Sequence, residues 1–179
     1  MTKQQPTLKE NTGIKPLDEV LLYENENVPH RFKKHFFLSD EEADDIFMET
    51  KKWLWFCAVA YELNRLGRID FIVGIIRGLP MIDQMWHNFI LHTQAYEAFC
   101  NKYLGGFVHH VPTTKAADES KLAKGDMHVE EMKGFYENQY SLTYDLMGEA
   151  TCLKWYKEYA EKYSRAEIDK IKKPLAKQQ

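Results

Sequence analysis

Imidazole and carboxylate groups gather in one stretch of the chain, residues 80–112. It reads Pro80-Met-Ile-Asp83-Gln-Met-Trp86-His87, then Ile90-Leu91-His92-Thr93, Tyr96, Phe99-Cys100 and Phe107-Val-His109-His110-Val-Pro112. Four of the seven histidines and one of the three cysteines fall here. Three imidazoles, with or without a carboxylate, suit zinc, iron, copper or nickel and leave a position open for water or substrate. The candidate metal ligands are His87, His109 and His110, with His128 as a further ring close to Glu130 and Glu131. Asp83 and His87 lie four apart, so on a helix they share a face. Asp83 can hold one imidazole nitrogen and aim the other outward, or it can itself ligate. His92, five residues beyond His87, is rotated away, which favours His87 over His92 for a buried role. The doublet His109-His110 alternates across an extended segment, one ring facing a pocket and the other facing away. Pro112 supports that geometry by pushing Val111 into extended conformation.

The spacing is not that of a known zinc helix, since HExxH, an i, i+4 histidine pair and CxxC are all missing. A structural reading therefore stands beside the metal reading: His87 fixed in the core by Asp83, and the doublet capping a helix end. Metal-free acid–base catalysis is a third reading. A fourth is a Cys100 nucleophile with His109 or His110 as base. Against it, Cys100 sits in the aromatic stripe Tyr96, Phe99, Tyr103, a pattern of burial.

Other chemistries lack their sequences. There is no GxSxG, no GxGxxG after a strand and no GxxxxGK[ST] loop. A formal charge of −3 argues against capture by nucleic acid or anionic membrane. No apolar run approaches the roughly 20 residues that span a bilayer, and residues 1–6 lack the apolar stretch of a secretory signal. Cys57, Cys100 and Cys152 are odd in number and far apart. Reduced thiols in a cytoplasmic setting are the expectation, with Cys57 a small buried apolar residue.

The elements that must position these groups are helical. Ser39-Asp40-Glu41-Glu42 fits a capping box. Behind it Ala43, Ile46, Phe47, Thr50, Trp53, Leu54, Cys57 and Tyr61 recur at three-four spacing, predicting a long helix that ends near Gly67. Pro80 opens a second helix, which runs through Trp86 toward Tyr103, bends near Thr93 and stops at Gly105-Gly106. Two more are expected at 127–147 and 149–163, divided near Gly148, with the stripes Met132, Phe135, Tyr136, Tyr140, Tyr144, Leu146 and Leu153, Trp155, Tyr156, Tyr159 taken as core. Val20-Leu21-Leu22-Tyr23 predicts one or two docked turns. Residues 69–79 are ambiguous: β-branched residues favour a strand, yet Gly74 and Gly78 interrupt it. Residues 113–126 read as a polar loop.

The string Ile82-Asp83-x-x-Trp86-His87-x-x-Ile90-Leu91-x-Thr93-x-x-Tyr96-x-x-Phe99-Cys100, followed by Gly106-Phe107-Val108-His109-His110-Val-Pro112, resembles the signature of the glycine-rich domain-containing protein-like family of plants, fungi and bacteria. A weaker likeness, Tyr144-x-x-Met147-Gly148 before Trp155, extends to residues 140–156. The resemblance implies a compact helical domain in which the WH and HH-P elements meet, and it implies no reaction. The positions it carries over are Asp83, Trp86, His87, Tyr96, Cys100, His109, His110 and Pro112. Two departures stand out: the glycine-rich tail that names the plant members is absent, and Phe89 stands where many relatives carry a further histidine.

The expected architecture is mainly α, a single-domain bundle of four to five helices with short extended segments near 69–77 and 107–111. Residues 1–16 form a flexible arm, 17–163 the domain and 164–179 a basic, frayed tail. The expected function is that of an intracellular protein whose histidine-centred pocket binds one divalent transition metal, zinc or iron. Trp86, Tyr96, Cys100 and Asp83 would surround the ligands. The alternative is a non-catalytic interaction module in which the histidines are structural. The partner is a protein or small molecule, not nucleic acid or membrane.

Overall fold

The computed structural model describes residues 12–76, 78–111 and 126–174, with residues 126–129 described by backbone alone. The chain is mainly helical. In order it forms α1 (Leu17–Leu21), α2 (Asn27–Phe32), α3 (Asp40–Arg65), α4 (Pro80–Ile90), α5 (Thr93–Tyr103), α6 (Asp126–Leu153), a π-helical turn (Lys154–Glu158), α7 (Tyr159–Lys162) and α8 (Arg165–Ile171). α1 answers to the turns expected at Val20–Tyr23, and the π-helical turn with α7 to the helix expected over 149–163, whereas the short α2 and α8 exceed the expected count because one or two turns carry too little periodicity to be read from sequence. Among the described residues no strand occurs, only two isolated antiparallel bridges, Ile14 with Leu104 and Phe36 with Lys172. Nor is any described helix long and apolar enough to cross a membrane.

α3 is the axis. Its capping box forms as expected: Ser39 Oγ accepts from the Glu42 amide at 3.1 Å, and Glu42 Oε2 accepts from the Ser39 amide at 3.0 Å. Its buried residues fall on more than one stripe, from Ile46 and Phe47 to Trp53, Phe56 and Leu63. A helix covered on several sides reads this way, and α1, α2 and α4 all pack against it.

Buried polar groups on α3 tie down the other elements. Lys51 Nζ donates to the carbonyls of Leu21 and Tyr23 at 2.9 and 2.7 Å, satisfying the end of α1. Glu49 accepts from Trp155 Nε1 at 2.8 Å, while Lys52 and Lys154 lie 2.8 and 3.0 Å from its other oxygen. Asp45 accepts from Tyr159 Oη at 2.6 Å and from Lys154 Nζ at 2.5 Å. The π-helical turn is thus clamped to α3 by charge-assisted bonds. Glu49→Leu strips the buried Trp155 indole of its acceptor and Lys154 of one carboxylate. A loss of about 3–5 kcal/mol is expected from urea denaturation.

Residues 69–76 form no regular element and pair with no strand among the described residues. Side-chain amides take the place of a ladder: Gln139, fully buried on α6, both donates to and accepts from Gly74 at 3.0 and 2.8 Å, and Asn64 donates to Phe71 O at 3.2 Å. The expected division of the last long helix at Gly148 is present, since that residue alone leaves helical geometry there (φ 79°, ψ 174°).

Both chain ends differ from expectation where they are described. The Lys15 amide donates to Tyr103 O at 2.8 Å, docking residues 12–16 on α5. The basic tail forms α8 because Ser164 caps it and Ile168 buries. Beyond it, Phe37 N donates to Ile171 O at 2.7 Å and Lys173 N to His35 O at 2.8 Å. The lysines hid this from composition: one buried isoleucine and backbone pairing decide it. Of the polar loop expected at 113–126, residues 113–125 lie outside the described residues, and residue 126 already belongs to α6.

Candidate metal centre

α4 presents its chemistry by elimination. Met81, Ile82, Met85, Trp86 and Phe89 turn into the core, leaving Asp83 and His87 on the outer face one turn apart. Asn88 fixes the helix on its other side, accepting from Arg31 at 2.6 Å and donating to Val28 O at 2.9 Å, both on α2. The bend expected near Thr93 is a full break: α4 ends at Ile90, and His92 becomes the cap of α5.

The extended segment 107–111 crosses this face with strict alternation. Phe107, His109 and Val111 are exposed, whereas Val108 and His110 point inward. Tyr96 pins it, its hydroxyl donating to Val108 O at 2.6 Å while accepting from Trp86 Nε1 at 2.9 Å. His110 therefore arrives over α4. Its Nε2 lies 2.8 Å from Asp83 Oδ1, its ring centroid 4.3 Å from that of His87 and 4.4 Å from that of Trp86. His87 Nδ1 is 3.8 Å from Asp83 Oδ2, too far for a hydrogen bond.

Asp83, His87 and His110 form a possible metal-binding group: one ligand atom from each lies within 4.8 Å of the others. Two imidazoles and one carboxylate suit a divalent first-row ion with nitrogen and oxygen preference. The group opens to solvent at His87, whose side chain is 48% exposed, while those of Asp83 and His110 are 19% exposed. An ion held here would take a proton-free nitrogen from each imidazole, so its binding would be linked to pH.

The other expected residues are placed as follows. His109 turns outward and packs against Phe107 with centroids 4.9 Å apart, so it does not join the group; adjacent residues of an extended segment cannot share a face. The His128 side chain lies outside the described residues. The preference for His87 as the buried histidine is reversed. His87 is on the surface, and His92 has its Nε2 buried without a hydrogen-bond partner among the described residues. Burial, with the nearby Arg31 charge, pushes the His92 imidazole below its ordinary range. Nor does Asp83 hold His87, because His110 is its hydrogen-bond partner. Trp86 and Tyr96 form the buried floor.

Cys100 is fully buried beneath that floor, and burial pushes its thiol above the usual range. This removes the thiol-enzyme reading, which needs an exposed, acidic sulfur. Iodoacetamide should leave Cys100 unmodified in the native protein and alkylate it after denaturation, as read by peptide mass spectrometry. Cys57 is partly covered by the core and its thiol is likewise raised by burial.

The sequence matches a family profile described as UCP032817-like over residues 76–129, less than a third of the chain. The matched stretch includes α4, α5 and the segment carrying His110, and so all three residues of the group. Comparison with curated proteins and with solved structures gives no match.

Proposed function

We propose that the protein binds one divalent transition metal, zinc or iron, through Asp83, His87 and His110, and that this centre supports metal-assisted chemistry. The observation that carries the reading is the convergence of three ligand atoms from one helix and a segment more than twenty residues away. Two further features support it. The donors combine neutral imidazole with carboxylate and no thiolate, and the exposed side of His87 leaves room for water or a substrate. A bound divalent ion would supply Lewis acidity and an acidified water. Asp83 and the imidazoles fix its position, and the Trp86–Tyr96–Val108 chain of hydrogen bonds holds the segment bearing His110. Kinship with the glycine-rich domain-containing protein-like family belongs to the same proposal and rests on the motif residues.

A second reading has its own support in the 2.8 Å Asp83–His110 contact: the histidines fasten the segment, and the protein acts by binding a partner. Metal analysis of untagged protein, purified without chelator, separates the two. The metal reading expects about one equivalent of zinc or iron per chain; background metal, unaltered in His87→Ala, would overturn it.

A further inference from the structure

Of the α6 stripe taken as core, Phe135, Tyr136 and Leu146 pack against the core, whereas Tyr140 and Tyr144 do not. Leu142, Thr143 and Gln139 face inward, whereas Tyr144 is 56% exposed and Tyr140, one turn before it, is exposed too. Beyond the break at Gly148 the chain returns to this face: Cys152 Sγ lies 3.8 Å from Tyr140 O, and neighbouring Leu153 is 48% exposed. Tyr140 rests on Tyr156, centroids 4.3 Å apart. The hydroxyl of Tyr156 is in turn held 2.8 Å from Thr143 Oγ1. Tyr140 is therefore held in place before any partner arrives, which lowers the ordering cost of binding at that ring.

Its rim is acidic. Asp145 and Glu149 approach Cys152 closely enough to add to the burial that raises its thiol. Glu137 follows Tyr136 on the same helix, and Lys133 is the only lysine or arginine in α6. Among the described residues Glu137, Asp145 and Glu149 form no ion pair. We infer that this face, Tyr140, Tyr144 and Leu153 within a rim of Glu137, Asp145 and Glu149, docks a lysine- or arginine-bearing amphipathic segment of a partner protein. The apolar side of such a segment covers Leu153 and the ring faces. Its cations meet the carboxylates and the tyrosine π-faces. The same carboxylates repel phosphate, so nucleic acid and anionic lipid are disfavoured here. The inference is independent of the metal centre, which involves none of these residues.

Fluorescence anisotropy tests it on the full chain, with a labelled fifteen-residue helical peptide of leucine and lysine and its counterpart carrying glutamate for lysine. The lysine peptide should bind with a roughly micromolar Kd. Tyr144→Ser, and separately Asp145→Lys with Glu149→Lys, should each weaken it about tenfold or more. Asp44→Lys, an exposed charge reversal on α3, should not. Equal binding of the glutamate peptide, no saturable binding of the lysine peptide, or equal weakening by Asp44→Lys would each overturn the inference.

Discussion

His110→Ala is expected to lower zinc affinity by more than about 100-fold, since loss of even an outer partner of a ligand commonly costs 10–100-fold. His109→Ala, one residue away, should leave the affinity unchanged. The contrast follows from the alternation of residues 107–111: His110 Nε2 lies 2.8 Å from Asp83, while His109 points outward and packs against Phe107. The His110 substitution also removes the hydrogen-bond partner of a partly buried carboxylate, for which about 1–3 kcal/mol of stability is expected. Competition with a chromophoric chelator reads the first effect and urea denaturation the second. A purely structural role for His110 would produce the second effect alone.

Gly78→Ala should be the most damaging single methyl added to this chain. Gly78 adopts φ 97°, a region that L side chains rarely enter, and a Cβ there would overlap the carbonyl oxygen of Trp155. Backbone strain adds to a clash with backbone, which cannot rotate away. Trp155 is fully buried and anchored to Glu49, so the π-helical turn cannot retreat without breaking that bond. A loss of about 3 kcal/mol or more is expected, read as a fall in denaturation midpoint with unchanged slope. Gly134→Ala, where the added methyl meets nothing within 4 Å, is the matched control and should stabilise slightly through its better helix propensity.

The signals that proved legible were local and strong. Ser39 through Glu42 announced the start of α3, Pro80 the start of α4, and Gly148 the break in α6, each because one residue type satisfies one backbone requirement. The exposure of Tyr140 and Tyr144 was not legible. Tyrosine fits a core stripe and a solvated face equally well, and it was Leu142 with the smaller Gln139 and Thr143 that took the inward positions.

For the candidate centre, the sequence narrowed the ligands without pairing them. His110 shares a face with the partly buried Val108, and an inward valine would have nominated it over His109. But Phe107 and Val111 are also apolar and lie on the opposite face, so hydrophobicity could not choose. The hydrogen bond from Tyr96 to Val108 O made the choice, and such a bond leaves no trace in composition. The exposure of His87 has a similar origin, because five larger apolar residues of α4 claim the core-facing positions first.

X-ray absorption at the metal edge, on untagged protein loaded with one equivalent of zinc, addresses the metal centre most directly. Two imidazoles and a carboxylate should appear in the first coordination shell, with one imidazole lost in His110→Ala and none in His109→Ala. A shell of water oxygens, a sulfur ligand, or a spectrum indifferent to both substitutions would contradict the convergence of Asp83, His87 and His110 on one ion.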